Sequence, residues 1–261
     1  MNQPGAWYDW PLILAYHSIS EQRRDSLAVR VADFDAQLAW LRGRGYRSLT
    51  LAEYVRCPPA RGERVVILTF DDGYVDNYSH AFPILKRYGF VATIFLVTDY
   101  VSTERIFSWD APKIAAAHEA ELYRVLAWEQ VHEMAAYGIE FGSHTCTHPE
   151  LTAVPPEQCA REIAQSRRDL AARLGRDVGS FCYPRGKLSD DVIRLVEQAG
   201  YSCAVVTPKR AGIPLGRYTL RRVGLYQNST PWRFRIKIAP LVRGNYERLK
   251  RLSQRAPYQR G

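Results

Sequence analysis

Residues 65–73 read VVILTFDDG, and this stretch sets the architecture of the chain. Six apolar or β-branched residues in succession indicate a strand that is buried on both faces, as is typical of a parallel sheet. Two aspartates, Asp71 and Asp72, follow the strand at once. Parallel sheets carry their reactive groups at the carboxyl ends of their strands, so the stretch predicts a site as well as a sheet.

A second stretch, residues 139–149, has the same design and reads IEFGSHTCTHP. Its apolar start predicts another strand, and His144 and His148 follow at a spacing of four residues. Two imidazoles at this spacing can reach one ion, although such pairs also occur by chance on protein surfaces. Cys146 is offset by two residues from each histidine and is interpreted as a packing residue.

Apolar runs alternate with helical patterns along most of the chain. Further strands are predicted at 12–16, 91–97, 180–183 and 201–206, and helices at 33–45, 78–88, 128–137, 157–174 and 188–199. This alternation predicts an α/β fold with a parallel sheet that is either open or closed into a barrel. Residues 98–127 are interpreted as an insertion between a strand and a helix.

The composition is that of a soluble globular protein, with 46% hydrophobic and 24% charged residues among 261. No apolar run has the length of a membrane helix, and the first ten residues lack the basic start of a secretion signal. The five cysteines are odd in number and form no CxxC pair, so we interpret them as free thiols in a reducing compartment. Together these features predict a cytoplasmic location.

Basic charge is concentrated at the C-terminal end of the chain. The net charge is +9, yet residues 207–261 hold 14 Lys and Arg with one Glu, and residues 1–206 are net acidic. We therefore divide the chain into a main α/β region, 1–206, and a basic C-terminal extension, 207–261, that completes or flanks it. The extension indicates an anionic partner, which could be an acidic glycan, a phospholipid surface or a pyrophosphate-linked substrate, with a merely solvated basic face as the alternative. No nucleic-acid motif accompanies it, so no nucleic-acid partner is expected.

Residues 230–238 fit two structures. Thr230 and Pro231 are typical of a helix start, whereas the alternation of apolar and basic residues after them fits a strand. In either case one face is apolar and the other basic. Such a segment can pack onto the body of the protein or lie at an anionic membrane surface.

The paired motifs indicate metal-assisted hydrolysis. One carboxylate and two imidazoles make a three-ligand site that leaves a position open for water. A divalent ion there would polarise an acyl oxygen and lower the pKa of water, and the second aspartate would be free to accept a proton. A glycosidase with paired acids is a rival hypothesis, but adjacent aspartates point to different sides of the chain and the histidines would be unexplained.

The motifs resemble those of the polysaccharide deacetylases of the NodB type, carbohydrate esterase family 4. Residues 69–73 match TFDDG and residues 144–148 match H(S/T)xxH, and the resemblance extends over about residues 12–206. It implies a distorted (β/α) barrel of about seven strands and a divalent ion of the Zn²⁺ type, with Co²⁺, Ni²⁺ or Mn²⁺ also tolerated by such ligands. By matching positions, Asp71 becomes the catalytic base, and the metal ligands are Asp72, His144 and His148.

The third motif of this family departs from its usual form. It normally carries an arginine that orients the base, but residues 181–186 read FCYPRG and place Cys182 at that position. The resemblance implies that the backbone N–H of Tyr183 helps to bind an oxyanion, and Pro184 and Arg185 are candidate substrate contacts. Because the arginine is displaced, a catalytically impaired homologue that binds glycans or membranes is an alternative.

A general acid is also required. The family normally supplies a histidine near the end of the domain, whereas no histidine follows His148 here. His17, at the end of the first predicted strand, takes this role by resemblance to the circularly permuted poly-N-acetylglucosamine deacetylases, with a structural hydrogen bond as the alternative. Tyr74 and Trp109 are candidate sugar-stacking residues, with core or rim packing as the alternative.

These observations combine into one hypothesis. The chain is predicted to remove an N-acetyl group from an amino sugar in a polysaccharide, an oligosaccharide or a lipid- or nucleotide-linked precursor, as exopolysaccharide biosynthesis requires. The predicted location is cytoplasmic, with peripheral association at the inner membrane face through the basic extension.

Overall fold

The computed structural model describes residues 11–23, 25–60, 62–209 and 212–239. Within these ranges the strands, in chain order, are β1 (Leu12–Tyr16), β2 (Ser18–Ile19), β3 (Ala28–Val29), β4 (Arg47–Ser48), β5 (Val65–Phe70), β6 (Thr93–Leu96), β7 (Glu140–Ser143), β8 (Ser180–Cys182), β9 (Cys203–Val206), β10 (Leu220–Arg221) and β11 (Val223–Gly224). Eight of them follow one another in the main sheet in the order β10-β9-β8-β7-β6-β5-β1-β11, and β4 pairs with the start of β5. Strands β2 and β3 form a separate pair.

All pairings in the main sheet are parallel, as the alternation of elements predicted. Every residue of β1 and β5 is buried, and all but Thr69 are apolar, as expected of strands that are covered on both faces. Helices cover the sheet because each crossover between parallel strands needs a long connection. The fold class predicted from the sequence is therefore confirmed.

The sheet is nearly closed because of one short connection. Strand β10 lies at one end of the strand order and β11 at the other, yet a single residue, Arg222, joins them. The two ends must therefore lie side by side. The N–H of Arg222 bonds the Val206 carbonyl at 2.9 Å, and the N–H of Leu225 bonds the Ala15 carbonyl at 2.8 Å, so the connection is bonded to both edges.

The described part of the basic extension thus belongs to the sheet. Strand β10 pairs with β9, and β11 pairs with β1. The chain then enters a helix, which is one of the two structures that the sequence allowed for residues 230–238. The remainder of the extension, 240–261, lies outside the described residues.

Seven α-helices are present in the described ranges: α1 (Val31–Gly43), α2 (Leu51–Arg56), α3 (Phe82–Tyr88), α4 (Trp128–Tyr137), α5 (Pro156–Leu174), α6 (Asp190–Gln198) and α7 (Pro231–Ile238). The sequence predicted α1 and α3 to α6 and left α7 open between a helix and a strand. It missed α2, which is too short to show a periodic pattern and is recognisable by its capping box of Thr50 and Glu53. Asp33 was expected at the N-cap of α1, but the helix begins earlier and Asp33 lies in its first turn.

Two segments contain irregular helical structure. The predicted helix at 78–88 starts as a π-helix, Asn77–Ala81, before it continues as α3. The insertion at 98–127 contains short 3₁₀ turns, including Ala117–Tyr123. Both segments adjoin the carboxyl ends of the strands, where irregular backbone is common beside functional groups.

Candidate active site

The candidate residues meet at the carboxyl ends of the strands. His17 follows β1, Asp71 and Asp72 follow β5, and His144 follows β7. The ring of His148 lies 4.7 Å from that of His144, measured between ring centres. All five line one cavity of about 710 Å³, a volume in the range of small-molecule binding sites.

Three of these side chains form a group that fits a divalent metal ion. Asp72 Oδ1 lies 3.6 Å from Nε2 of His144 and 3.6 Å from Nε2 of His148. All three residues are buried, and Asp72 Oδ1 has no hydrogen-bond partner among the described residues. A buried carboxylate oxygen without a partner is costly, and a cation between these atoms would remove the cost. The three predicted ligands thus have the arrangement that a metal site needs.

Burial also sets the protonation of this group. Desolvation raises the pKa of Asp72 well above its usual value, and the nearby Asp71 carboxylate adds to the rise. Desolvation lowers the pKa of His144 and lowers that of His148 to about 2. Nδ1 of His144 donates to the Cys182 carbonyl at 2.8 Å, which leaves Nε2 free for an ion. Neutral imidazoles of this kind are the form that binds metals.

A second group of possible ligands, Asp71, His144 and Cys182, overlaps the first. It fits a metal less well. Burial raises the pKa of the Cys182 thiol well above its usual value, whereas a thiol must lose its proton to bind a metal. The Asp71 carboxylate is already held by an arginine, so it has little to gain from a second cation.

That arginine is Arg222, a functional residue that the sequence reasoning missed. Its Nη1 donates to Asp71 Oδ1 at 2.6 Å, and its Nη2 donates to Asp71 Oδ2 at 2.7 Å. The guanidinium also lies 3.1 Å from Cys182 Sγ. Arg222 therefore makes the contact with the base that was expected of an arginine at position 182.

The pair is buried, and its electrostatics follow from the two-point contact. Burial alone would raise the pKa of Asp71, but the Arg222 guanidinium outweighs it and holds that pKa well below its usual range. Asp71 is therefore ionised at every working pH and fixed in direction. Little in the sequence indicated this residue: Arg222 stands between two strands of two residues each, and strands this short show no periodicity.

The backbone around the metal group is unusual. Asp72, Thr145 and His148 have φ angles of 69°, 71° and 62°, in the left-handed region that few residues other than glycine adopt. Gly73 continues this conformation with φ of 70°, and a Cβ there would overlap the Leu96 side chain. Such conformations persist where the surrounding structure enforces them, and they are concentrated at functional sites.

Glu162, on α5, holds the histidine loop, residues 144–148, in place by hydrogen bonds. Its carboxylate accepts hydrogen bonds from the N–H groups of Cys146 and Thr147, both at 2.9 Å, and from the Thr147 hydroxyl at 2.6 Å. The Cys146 thiol is not part of either ligand group. Cys146 thus contributes its backbone to the loop, in line with its interpretation as a packing residue.

His17 lies on the other side of Asp71, with Nε2 3.7 Å from Asp71 Oδ2. Desolvation lowers the pKa of His17 to about 4. Its position is fixed from the segment after β5, because Asn77 Nδ2 donates to the His17 carbonyl at 2.8 Å. The Asp76 carboxylate accepts from the Ser18 hydroxyl and from the N–H of Ile19, the latter at 3.1 Å.

Aromatic and basic side chains form the wall next to the metal group. The Trp109 ring centre is 4.5 Å from that of His148, and both residues line the cavity. The Arg185 guanidinium carbon lies 5.9 Å from the centre of the Trp109 ring. Trp109 and Arg185 therefore both face the cavity, and their contact with a substrate stays a prediction.

Tyr183 also lines the cavity, but its polar groups are engaged. Its hydroxyl donates to the Tyr218 carbonyl at 3.0 Å. The N–H that was predicted to bind an oxyanion makes a long hydrogen bond of 3.4 Å to the Val205 carbonyl, so a substrate oxygen would compete with that carbonyl. Its oxyanion role stays a prediction.

The structure corrects two of the predicted substrate contacts. Tyr74 is fully buried, its hydroxyl donates to Asp110 at 2.5 Å, and it does not line the cavity. Tyr74 instead supports the Trp109 side chain in the cavity wall, because Trp109 Nε1 donates to the Tyr74 hydroxyl oxygen at 3.3 Å. Pro184 is likewise buried and absent from the cavity lining, so it shapes the turn that carries Arg185.

Comparison with known proteins identifies the class to which this fold and site belong. The family model described as polysaccharide deacetylase matches residues 59–204. The protein YxkH of Bacillus subtilis (strain 168) is 35% identical over 215 residues, which cover 81% of this chain and 70% of YxkH. The chain belongs to the polysaccharide deacetylase family, as the resemblance of its motifs implied.

Two further relatives support this assignment. The poly-beta-1,6-N-acetyl-D-glucosamine N-deacetylase of Staphylococcus aureus (strain MRSA252) is 26% identical over 204 residues, covering 76% of this chain and 68% of that protein. The structure of the Streptococcus pyogenes deacetylase PplD in complex with acetate superposes with a TM-score of 0.73 at 27% identity. That match covers 88% of this chain and 98% of the PplD chain, so the two share the whole barrel-like fold.

Proposed function

We propose that this protein is a metal-dependent N-deacetylase that hydrolyses the acetamide of an amino sugar within a glycan or a glycan precursor. The observation that carries the proposal is the single cavity in which Asp72, His144 and His148 face Asp71 and His17. Family membership supports the reaction class, and the Staphylococcus aureus relative is named for the same bond cleavage.

The metal ligands would be Asp72, His144 and His148. Zinc is the ion we expect, with cobalt, nickel and manganese as alternatives that suit a His₂Asp set. When bound, such an ion polarises the acetyl oxygen and lowers the pKa of water. The unpaired Asp72 Oδ1 and the free Nε2 atoms of the histidines are the features of this chain that support binding.

Asp71 and His17 would divide the proton transfers. Asp71, fixed by Arg222, accepts the proton of the attacking water at a carboxylate oxygen. His17 is neutral near pH 7, because its pKa is about 4, so it takes up a proton during the reaction rather than before it. Asp71 Oδ2, 3.7 Å from Nε2 of His17, is a nearby source of that proton, which His17 then delivers to the departing amine.

The alternative of an impaired, purely binding homologue rested on the arginine missing from position 182. Arg222 makes the corresponding two-point contact with Asp71, so this reason no longer applies. The paired-acid glycosidase is also disfavoured. Asp71 is engaged by a guanidinium and Asp72 lies between two histidines, which leaves neither free to act as a lone acid or nucleophile.

The proposal is tested by acetate release from N-acetylglucosamine oligomers. We expect no activity from chelated protein, recovery with added Zn²⁺ or Co²⁺, and a loss of at least about a hundredfold in kcat for Asp71→Asn. Equilibrium dialysis of the same variant serves as the control, because Asp71 is not a proposed ligand and metal binding should persist. Activity that is indifferent to chelation, or that survives in Asp71→Asn, would contradict the mechanism.

We further propose that the chain works in the cytoplasm at the inner membrane face, as a member of the circularly permuted subgroup. No helix among the described residues is long and apolar enough to cross a bilayer. Support for peripheral binding comes from α7, where Trp232 and Ile236 are 69% and 41% exposed, one turn apart, beside Arg233 and Arg235. The opposite face of α7 packs Phe234 into the core.

Vesicle sedimentation tests the membrane association. Binding to vesicles of anionic lipid should fall roughly fivefold or more in Arg233→Glu/Arg235→Glu, and to a similar degree in Trp232→Ser, because basic charge and an exposed ring act together at such surfaces. Unchanged sedimentation of both variants would refute it without touching the proposed reaction.

A further inference from the structure

The cavity is more basic than its chemistry requires. Asp71 and Arg222 neutralise each other, and Asp72 is assigned to the metal ion. The other charged residues that line the described part of the cavity are all basic: Arg185, Lys209 and Lys237. Hydrolysis of an uncharged acetamide gives no reason for cations in these places.

Arg185 is held in position on the metal side of the cavity. It occupies the left-handed region with φ of 57° and is followed by Gly186, where a Cβ would overlap the Thr207 carbonyl oxygen. This tight turn presents the exposed guanidinium beside Trp109. No ion pair joins Arg185 to a described Asp or Glu. Glu150 pairs with Lys187 at 2.5 Å, and its pKa is lowered mainly by that hydrogen bond and only slightly by the Arg185 charge.

Lys237 lines the same cavity from α7. Its Nζ donates to the Gly224 carbonyl and to the Ser229 hydroxyl, both at 3.0 Å, which leaves the third ammonium hydrogen available. The ammonium lies 5.4 Å from the Tyr226 ring, and Tyr226 stacks on His17. No described carboxylate pairs with Lys237, and its partial burial together with Arg233 lowers its pKa. An anion at this point would offset both the desolvation of the Lys237 ammonium and its repulsion by Arg233.

We propose that the acetylated substrate carries anionic groups, carboxylates or phosphates, on or next to the sugar that is deacetylated, and that Arg185 and Lys237 bind them from two parts of the cavity wall. This inference rests on the proposed deacetylase function and narrows its substrate class. Arg185 offers a planar two-point donor to such a group, and Lys237 offers a point charge in a half-buried setting. The Trp109 face between Arg185 and the metal ligands suits the apolar side of the sugar ring.

The test compares three oligosaccharides of equal length with metal-loaded protein. One is an uncharged N-acetylglucosamine oligomer, one carries a lactyl carboxylate on alternate sugars, and one carries a terminal phosphate. We expect kcat/KM for an anionic oligomer to exceed that for the uncharged one by about tenfold or more, chiefly through KM. The advantage should shrink as NaCl is raised, and the preferred anion distinguishes a carboxylate from a phosphate source.

Variants assign the effect to the two residues. Arg185→Gln should reduce the preference for the anionic oligomer roughly fivefold, because the side chain is exposed, and Lys237→Gln about tenfold. Arg194→Gln is the matched control, since Arg194 is an exposed arginine like Arg185 but pairs with Asp191 on α6 and does not line the cavity. It should keep the full preference.

The possible outcomes distinguish failure of the anion-binding inference from failure of the proposed deacetylase function. Equal kcat/KM for all three oligomers, or a preference that both variants retain, would overturn the inference and leave the deacetylase standing. If calorimetry shows selective binding of an anionic oligomer but no acetate is released from any, the deacetylase function is overturned while the anion site stands.

Discussion

Individual side chains determine the chemistry of this site. Arg222 makes the arginine contact with Asp71 that the third motif of the family normally supplies, although it stands elsewhere in the sequence. The base Asp71 needs a fixed orientation, which a two-point guanidinium contact supplies. Position 182 carries a cysteine, yet its sulfur touches the guanidinium that arrives from Arg222. The same physical role is thus filled from the connection between β10 and β11 instead of from β8.

Arg222→Lys tests this role, because lysine keeps the charge but loses the planar two-point contact. We expect kcat to fall about tenfold or more with metal affinity unchanged, measured by acetate release and by dialysis. Arg222→Ala should in addition lower the free energy of unfolding by roughly 3–5 kcal/mol, since it leaves Asp71 charged, buried and unpaired. Arg221→Lys is the neighbouring control, and equal losses in both lysine variants would contradict a specific role for Arg222.

His17 makes the metal-free protein sensitive to acid. Its folded pKa of about 4 lies below the ordinary 6.5, so the unfolded chain binds the proton more readily. The resulting stability is complete above about pH 6.5 and declines as the pH falls towards 4, by up to roughly 3 kcal/mol. Urea unfolding at pH 7 and pH 4.5 should show a smaller acid-induced loss in His17→Asn than in the wild type; parallel losses would refute the assignment.

At the scale of secondary-structure elements, helices hold in place the loops that follow the strand ends. Helix α5 reaches the histidine loop through Glu162, and the π-helical start of α3 holds the backbone after β1 through Asn77. Neither residue touches the candidate metal group directly. Glu162 fixes a loop in which Thr145 and His148 adopt the unfavourable left-handed conformation, and this keeps the histidine ligands in one arrangement. Asn77 fixes the backbone of His17 in the same way, by a hydrogen bond to its carbonyl.

Glu162→Gln is the variant that probes this support. The amide cannot accept all three hydrogen bonds that the carboxylate accepts from the loop, so the loop should loosen. Affinity for Zn²⁺, measured by competition with a chromophoric chelator, should fall about tenfold. Glu157→Gln on the exposed first turn of α5 should leave the affinity unchanged, and an unchanged value for Glu162→Gln would contradict the proposed support.

For the molecule as a whole, burial of the metal group without a partner destabilises the fold, and a bound ion would remove this destabilisation. Buried Asp72 and two neutral histidines gain a partner only in the folded state, so metal binding is linked to folding. Zn²⁺ at a hundredfold excess over Kd should add about 2.7 kcal/mol, equivalent to roughly 5–10 °C in Tm. Differential scanning fluorimetry should show this shift in the wild type and not in Asp72→Asn; a similar shift in both would place the ion elsewhere.

Local patterns in the sequence were sufficient for the fold class and for a group of carboxylates and imidazoles at the strand ends, whereas the choice of Asp72 rather than Asp71 as a ligand came from the family resemblance. Apolar runs and helical periodicities depend on neighbouring residues, and so do the motifs at the strand ends, which is why β5, β7 and the ligands following them could be predicted. Parallel pairing then places strand ends at one edge of the sheet, so Asp72, His144 and His148 had to meet there.

Contacts between the two ends of the sheet, which meet where β10 connects to β11, depended on the tertiary structure. Arg222 lies 151 residues from Asp71, on a connection between two-residue strands that have no pattern of their own, and only closure of the sheet brings the two together. The same holds for Tyr74, whose position after the aspartates resembles a substrate contact but whose ring is buried by the insertion that carries Trp109 and Asp110. Burial and long-range closure are properties of the packed chain, and no short window of residues encodes them.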